Sequence, residues 1–400
     1  MKAKNILIGL LVVIVVLGTS LAAWQFTQPK FSNVSQELDY IVADTIKSSP
    51  QIKNCALYVK KGDGSFTWSS AVGIANQDGQ APMTVDTPIY IASTTKLFTA
   101  TAIMKLYEDG KLALDDPIAK YLPASLIGGI HVYQGHDYSN QITIAQLLAH
   151  TSGIADYYDE KAKDGKTMFD LFTADPQRTW TVDETIARVR NDMTPNFRPD
   201  EAASYSDTNY QLLGKIIESV TGKPLEEVFN TFFFTPLNLK HTWLVGRSKP
   251  QVAPTAAIAD VFLGDMNITR IRSNGAYWAD GGIVSTVEDE VTFLQALNAG
   301  NIIRKDTLQL MHNHWRQLRN IPFQYGYGTM YLEIPAEINW ATNVPPIWGH
   351  TGSVGAFLYY SPSLDLYMAG TINQTSDNIT PIMLMIKVMK AFQKHEPPYK

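Results

Sequence analysis

Residues 92–97 read Ala-Ser-Thr-Thr-Lys-Leu and stand directly before a run of apolar residues that ends at Gly110. This run has helical spacing and consists of Leu97, Ala100, Ile103, Met104 and Tyr107. The pattern predicts a helix with Ser93 at its N-terminus and Lys96 one turn later on the same face. A serine becomes a good nucleophile when a neighbour takes its proton, and a partly buried lysine can take or relay that proton. The N-terminus of the helix would also favour the negative charge that develops on an attacked carbonyl.

A serine three residues before a lysine is common by chance and is usually a helix cap followed by an exposed lysine. Two further motifs make the pair informative. Residues 205–210 read Tyr-Ser-Asp-Thr-Asn-Tyr and precede a second predicted helix. Residues 348–353 read Trp-Gly-His-Thr-Gly-Ser and precede a predicted strand at Phe357. The chain therefore carries a Ser-x-x-Lys motif, a tyrosine motif and a His-Thr-Gly motif, in that order.

These three motifs resemble those of the penicillin-recognising serine hydrolases. More narrowly, the chain is similar to the class C β-lactamase family, with its D-Ala-D-Ala carboxypeptidases, D-aminopeptidases and carboxylesterases. The resemblance covers roughly residues 38–392 and includes further segments at 111–123, 147–154, 197–199 and 281–286. The joint match is specific for the family and says little about the substrate.

The resemblance implies a catalytic role for each matched residue. Ser93 would be the acylated nucleophile, and Lys96 would hold it and shuttle its proton. Tyr205 would be the general base, either as a phenolate or as the partner in a Lys-Tyr relay. The backbone N–H groups of Ser93 and Ser353 would form the oxyanion hole. The implied reaction is acyl transfer to Ser93 followed by hydrolysis, with no cofactor and no metal.

The resemblance also implies a substrate-binding strand edge at Thr351 and Gly352, with Asp207 lining the same site. His350 stands where many relatives have lysine, and it would orient Tyr205 or meet a substrate carboxylate. A neutral histidine would hold that carboxylate less well than a lysine.

Two positions depart from the family pattern. Asp207 stands where β-lactamases commonly have asparagine, and a carboxylate accepts hydrogen bonds but does not donate them. It could hold Lys96 as a cation or repel acidic groups of a substrate, which favours a peptidase or esterase over a β-lactamase. Asp200 stands where relatives often have glycine, so the turn there is expected to differ.

The predicted fold class is α+β, a β-lactamase/transpeptidase-like α/β sandwich. A helix at 32–47 and strands at 55–59 and 66–74 open the domain, and strands at 325–334, 357–360 and 366–372 with a final helix from Pro381 close it. One antiparallel sheet built from both chain ends, with flanking helices, would account for this symmetry. A mainly helical subdomain, at about residues 94–300, would be inserted between the two ends.

Residues 1–30 are predicted to be a signal peptide or an N-terminal membrane anchor, and residues 31–400 the hydrolase domain. Lys2 and Lys4 precede an uncharged apolar stretch that satisfies the length rules for both alternatives. In either case the domain would be exported, to a bacterial periplasm or cell surface. The membrane would be a partner only if the segment stays uncleaved.

Composition excludes several other classes of protein. With 18% charged residues, a net charge of -5 and no basic stripe, the chain is unlike nucleic-acid-binding proteins. The single cysteine, Cys55, rules out an intrachain disulfide and is expected to be a buried thiol. His312 and His314 lack a nearby carboxylate cluster and make a poor metal site. His150 lies in a family segment and is expected to be structural.

The leading hypothesis is an exported serine hydrolase, a D-Ala-D-Ala carboxypeptidase, D-peptidase or esterase. A true β-lactamase is the alternative within enzymes, and a non-catalytic, membrane-tethered penicillin- or peptidoglycan-binding sensor is the alternative outside them. The expected partner is a small molecule or peptide, such as a cell-wall stem peptide or a β-lactam. Specificity is expected to depend on the loops at 133–140 and 157–175.

Overall fold

The computed structural model describes residues 29–269, 271, 276–321, 323–334, 339 and 343–396. The predicted signal or anchor lies outside these residues, apart from its last two positions. Among the helices that are described, none is long and apolar enough to span a membrane.

Strands form one large sheet and several small ones. In chain order the strands are β1 Asn54–Lys61, β2 Thr67–Asn76, β3 Ala81–Pro82, β4 Ile89–Tyr90, β5 Val132–Tyr133, β6 His136–Asp137, β7 Trp243–Leu244, β8 Phe262–Leu263, β9 Met266–Asn267, β10 Ile283–Ser285, β11 Arg316–Gln317, β12 Gln324–Tyr325, β13 Met330–Leu332, β14 Ile347–Gly352, β15 Ala356–Ser361 and β16 Leu366–Thr371. The large sheet has the order β11-β12-β13-β14-β15-β16-β1-β2-β3 within the described chain.

The two ends of the chain meet in the middle of this sheet. Strand β1 pairs antiparallel with β16, with Ala56 opposite Thr371 and Lys61 opposite Leu366. This pairing confirms the prediction of an antiparallel sheet built from both termini. Residues 54–59 of β1 are buried without alternation, so both faces of the sheet are covered.

Helices cover the sheet, and most of them lie in the chain between its N-terminal and C-terminal strands. They are α1 Val34–Ser48, α2 Thr95–Glu108, α3 Ala124–Ile127, α4 Ile144–Leu148, α5 Met168–Ala174, α6 Val182–Asp192, α7 Asp207–Thr221, α8 Leu225–Phe229, α9 Val287–Ala299, α10 Lys305–His312 and α11 Thr380–His395. The terminal helices α1 and α11 pack on each other and on the sheet, and α9 packs on β15, β16 and β1. The mixed architecture is the predicted α+β class.

Helix α2 crosses the centre of the molecule and is buried on nearly all sides. It contacts α7, α8 and β14, and the ring of Phe98 stacks on Phe293 at 3.7 Å between centroids. The predicted single apolar stripe was therefore too narrow, because α2 has protein on every face.

The predicted strand at 325–334 is interrupted. Gly328 has φ of +75°, and the turn around it separates β12 from β13. The Gly326 N–H donates to the carbonyl oxygen of Thr329 at 2.9 Å, which closes the turn. A left-handed glycine ends a strand, although the flanking residues have strand-like alternation.

Candidate active site

The nucleophile motif lies on a tight turn between the sheet and α2. Ser93 belongs to a one-turn 3₁₀ helix, Ala92–Thr94, that leads directly into α2. Ala92 has φ of +44°, a left-handed conformation that costs a non-glycine residue about 1 kcal/mol. The end of β14 fixes this turn from outside, because a Cβ on Gly352 would lie 2.3 Å from the Ile91 carbonyl oxygen. The close approach of these two backbones places Ser93 beside the strand end.

Lys96 is fully buried and makes three hydrogen bonds through its Nζ atom. It donates to Ser93 Oγ at 3.1 Å, to Asp207 Oδ1 at 2.5 Å and to the carbonyl oxygen of Asp280 at 2.7 Å. These three acceptors match the three donors of an ammonium group. Lys96 Nζ is therefore held close to Ser93 Oγ by its hydrogen bonds to Asp207 and to the Asp280 carbonyl oxygen.

Acidic side chains surround this lysine. Asp207 is the first residue of α7, and its N–H donates to Asp156 Oδ1 at 3.1 Å. Burial, and then the charge of Asp207, raise the pKa of Asp156 well above its usual range. The same two causes raise the pKa of Asp280 to about 6, although Lys96 and a hydrogen bond from Tyr157 oppose them. Asp156 and Asp280 therefore keep their protons to a higher pH than ordinary carboxyl groups do.

Tyr205 lies across the lysine from Ser93. Its ring centroid is 4.9 Å from Lys96 Nζ, and its phenol oxygen is buried. That oxygen makes no well-formed hydrogen bond with the described residues, although Ser93 lies near enough to lower the phenol pKa. Burial and the charge of Asp207 outweigh this effect and raise the pKa of Tyr205 well above 10. The phenol is therefore protonated at neutral pH in the free site, which disfavours a resting phenolate.

His350 lies behind Tyr205 and is fully buried. Its Nδ1 lies 2.7 Å from the Thr351 carbonyl oxygen, and its Nε2 lies 3.0 Å from the hydroxyl of Tyr325. Burial and the charge of Lys96 lower its pKa to about 3, so the imidazole is neutral. The ring packs 6.3 Å from that of Tyr205. Since both nitrogens already have partners, the geometry gives His350 a packing contact with Tyr205 rather than a hydrogen bond.

Ser93 and Ser353 line the same pocket, which brings the two expected oxyanion-hole residues together. Thr351 and Gly352 do not line it: the Thr351 hydroxyl donates to Met330 Sδ at 3.2 Å, and Gly352 packs on Ile91. The full lining comprises Tyr90, Ala92, Ser93, Tyr158, Asp207, Val261, Ile268, Thr269, Tyr277, Asp280, Gly281, Ser353, Val354 and Thr375. Half of the lining residues are aromatic or aliphatic, and Ser93, Asp207, Asp280 and Ser353 are among its polar residues.

Several pocket residues carried no signal in the sequence. Tyr158 belongs to the loop expected to govern specificity, but Tyr277 and Asp280 are isolated residues with no motif of their own. The sequence feature nearest to these two residues is the family segment at 281–286, which begins one residue after Asp280. No residue of the other expected specificity loop, at 133–140, lines this pocket in the described structure.

His312, one of the two histidines considered as a metal site, has a packing role. The ring of His312 stacks on Trp315 at 5.3 Å and contacts Trp348 at 4.4 Å, and burial lowers its pKa to about 4. Cys55 is buried, as expected. Among the described residues, no group of three His, Cys, Asp or Glu side chains is arranged to hold a metal ion.

Comparison with known proteins identifies relatives of this chain. Protein flp of Staphylococcus aureus (strain MW2) is 31% identical over 208 residues, which are 52% of this chain and 38% of that protein. The chain thus spans little more than a third of that relative. A protein of Escherichia coli (strain K12) named "Putative D-alanyl-D-alanine carboxypeptidase" is 29% identical over 346 residues, 75% of this chain and 74% of the relative.

A solved structure and a family model extend the comparison. The D-amino acid amidase from Ochrobactrum anthropi SV3 has a TM-score of 0.74 at 22% identity, over 90% of this chain and 99% of that one. At that identity the similarity shows a shared fold. A family model described as Beta-lactamase matches residues 46–381, most of the chain. The chain therefore belongs to the β-lactamase family of serine hydrolases.

Proposed function

We propose that this protein is an exported hydrolase that forms an acyl-enzyme on Ser93 and cleaves D-amino-acid peptides, D-amino-acid amides or small esters. The observation that carries the proposal is the contact between Ser93 Oγ and the buried Lys96 Nζ at 3.1 Å, with the ring of Tyr205 centred 4.9 Å from the same Nζ. A pure binding protein has no need of a serine held between two proton-transfer partners. The names of the E. coli and O. anthropi proteins point to the same substrate classes.

The protonation state of the site suggests how the proton moves. Tyr205 is a neutral phenol close to Ser93, so it can accept the Ser93 proton as it gives its own to the leaving group. Ser93 Oγ forms the bond to the carbonyl carbon, and the leaving amine or alcohol departs with the tyrosine proton. Water then attacks the acyl-enzyme by the reverse route. Lys96 holds Ser93 Oγ throughout, and the N–H groups of Ser93 and Ser353 stabilise the oxyanion.

Asp207 favours an amide or ester over a β-lactam. Its carboxylate lines the pocket that contains Ser93, and it lies at the position where β-lactamases commonly have an amide. A substrate carboxylate placed near it would be repelled, whereas an amide, an ester or an amine would not. We therefore expect D-amino-acid amides and small esters to be turned over faster than D-Ala-D-Ala peptides and β-lactams, both of which carry a carboxylate beside the scissile bond.

A substrate panel tests the proposal. The domain from residue 31 onward is incubated with D-Ala-D-Ala peptides, D-amino-acid amides, short esters and a chromogenic cephalosporin, with Ser93→Ala as the control. We expect turnover of at least one amide or ester and a mass adduct on the Ser93 peptide with a phosphonate inhibitor. Repeated turnover of the cephalosporin alone would support a β-lactamase. Binding of wall fragments by wild type and Ser93→Ala alike, with no turnover, would support a sensor.

Export is proposed from residues 1–30, where two lysines precede a long uncharged stretch. Expression of the full chain in a bacterium, followed by fractionation and N-terminal sequencing, distinguishes the alternatives. A soluble exported product that lacks this segment indicates a signal peptide, and a membrane-bound product that retains it indicates an anchor. Retention of the folded enzyme in the cytoplasm would contradict the proposal.

A further inference from the structure

Two residues outside the expected catalytic set hold the backbone around Tyr205. The Ser204 N–H donates to the carbonyl oxygen of His150 at 2.9 Å, and the Ser206 N–H donates to His150 Nδ1 at 3.1 Å. Between them, the Tyr205 N–H donates to Asn320 Oδ1 at 3.0 Å, and Asn320 Nδ2 donates to the Tyr205 carbonyl oxygen at 3.2 Å. Three consecutive residues are thus fixed by two partners that are distant in the sequence.

The backbone conformation and the neutral ring of His150 favour its hydrogen bond with Ser206. It is fully buried with φ of +56°, a left-handed conformation that is uncommon for any residue except glycine. Its ring lies 4.4 Å from that of Tyr205. Burial, followed by the charges of Lys96 and His350, lowers its pKa well below the usual range. A neutral ring can keep Nδ1 free of a proton, which this nitrogen needs in order to accept from Ser206.

Asn320 binds the backbone of Tyr205 itself. Its side-chain amide makes the two hydrogen bonds that a neighbouring strand would make, and the Arg319 N–H adds a third by donating to the Ala203 carbonyl oxygen at 2.9 Å. Asn320 lies in the loop between β11 and β12, and these strands lead through β13 to β14. The loop therefore ties Tyr205 to the sheet that carries His350 in strand β14, and Ser353 directly follows this strand.

The phenol of Tyr205 has no well-formed hydrogen bond to the described residues, so its position depends on its backbone and on ring packing. We propose that His150 and Asn320 are positioning residues that hold Tyr205 in line with Ser93. This inference rests on the proposed function, in which Tyr205 transfers the proton. A displacement of about 1 Å in a proton-transfer group can cost on the order of a hundredfold in rate.

Asn320 offers the cleaner test because its side chain is exposed and its loss leaves no cavity in the core. We expect Asn320→Ala to lower kcat about 10- to 100-fold, with KM and the midpoint of thermal unfolding nearly unchanged. Asn320→Asp keeps the acceptor but loses the donor, so it should fall between wild type and Asn320→Ala. The control is Asn313→Ala, an exposed asparagine at the end of α10, which should retain wild-type kcat.

His150 provides an independent series. Asparagine tolerates the left-handed conformation and places an acceptor near the position of Nδ1, whereas alanine does neither. We expect kcat to fall for His150→Ala and to recover substantially for His150→Asn. Comparison at a temperature where both variants are folded separates this effect from a loss of stability.

Tyr205→Phe separates failure of the inference from failure of the proposed function. If wild type hydrolyses a substrate and Tyr205→Phe is slow, but Asn320→Ala has wild-type kcat, the positioning role is wrong and the proposed function stands. If Tyr205→Phe is as fast as wild type, Tyr205 does not transfer the proton, and the positioning role fails while acylation of Ser93 stands. If wild type hydrolyses no substrate of the panel, the proposed function itself fails. Equal losses of kcat and of folded protein in every variant would indicate a purely structural role.

Discussion

Asp207 sets the electrostatics of the site at the scale of a single residue. It accepts a hydrogen bond from Lys96 at 2.5 Å, and its charge raises the pKa values of Asp156, Asp280 and Tyr205. One carboxylate thus anchors the lysine that contacts Ser93, and it also raises the pKa values of two neighbouring acids and a phenol. An amide at the same position would provide the anchor without the charge.

Asp207→Asn should therefore change specificity more than folding. Without the negative charge, a substrate carboxylate can approach Ser93, so the ratio of kcat/KM for a cephalosporin to that for a D-amino-acid amide should rise about tenfold. Steady-state kinetics with both substrates measure this ratio. Asp109→Asn, a change of the same kind on the surface at the end of α2, should leave the ratio unchanged. A ratio that falls in Asp207→Asn would contradict the proposed repulsion.

The sequence predicts the centre of the site better than its periphery. Ser93, Lys96, Tyr205 and Asp207 belong to motifs with fixed spacing, and the structure brings them together. The roles of their partners depend on burial: Asp280 lies 73 positions after Asp207, and only the folded chain shows that both approach Lys96. Likewise, sequence shows that His350 follows a glycine and precedes Thr-Gly, but not that both its ring nitrogens already have partners.

At the scale of elements, the site depends on the contact between the end of β14 and the turn before α2. Strand β13 pairs with β14 only from Ile347 to Gly349, whereas β15 pairs with it as far as Gly352. The last residues of β14 are thereby left to pack against the Ile91–Ala92 backbone. Glycine at 352 permits this contact because any Cβ would overlap the Ile91 carbonyl oxygen.

Gly352→Ala should separate these two elements. The added methyl group would force the strand end or the nucleophile turn to move, which we expect to lower the rate of acylation at least 10-fold and stability by about 1–3 kcal/mol. Burst kinetics and urea unfolding measure the two effects. Gly79→Ala is the matched control, because nothing lies within 4 Å of the added Cβ and the backbone there is not left-handed. Wild-type acylation in Gly352→Ala would show that the contact does not position Ser93.

The boundaries of an element can be predicted from the sequence where a local signal, such as an N-cap residue, determines them. The predicted first helix at 32–47 is observed as Val34–Ser48, where Asn33 accepts from the Gln36 N–H as an N-cap. Asp200 shows the opposite case: it adopts φ of +64°, and its carboxylate accepts from Thr151 Oγ1 at 2.8 Å. The side chain thus stabilises a conformation that usually requires glycine, a compensation that the sequence does not reveal.

At the scale of the whole molecule, the two chain ends form one structural unit. Phe392 of the last helix is 1% exposed, and its ring meets that of Phe66 edge-on at 5.1 Å. Glu37 of the first helix accepts hydrogen bonds from Lys394 and His395 at 2.7 and 2.8 Å. Contacts between residues more than 300 positions apart therefore close the fold far from Ser93.

Phe392→Ala should weaken folding without altering the chemistry. Removal of a buried phenyl ring costs about 3–5 kcal/mol through lost burial and the cavity left behind. Urea unfolding measures the loss, and kcat at a temperature where the variant is folded should match wild type. Phe392→Leu keeps most of the apolar volume and should lose less than half as much stability. A large fall in kcat of the folded variant would mean that the terminal helix influences the site.

The buried acids near Lys96 should also make global stability depend on pH. Burial and Asp207 raise the folded-state pKa of Asp280 to about 6 from its usual 3.8, so the folded protein binds this proton more tightly than the unfolded chain does. Stability from this group is then fully present below pH 4 and is lost as pH rises toward 6, by about 3 kcal/mol at most.

The comparison with Asp280→Asn isolates that contribution. The amide oxygen can still accept from the Trp278 N–H, as Oδ1 does at 2.9 Å. The amide NH2 in place of Oδ2 can donate to the Tyr157 hydroxyl oxygen, which now donates to Oδ2 at 2.7 Å, and the amide does not titrate. The free energy of unfolding is measured in urea at intervals from pH 4 to pH 7 for both proteins. We expect the variant to gain stability relative to wild type as pH rises through 6, since only wild type must release a proton into a site already negative from Asp207. A constant difference between the two curves would show that Asp280 ionises in the folded protein as it does in water, and that Lys96 fully offsets its burial.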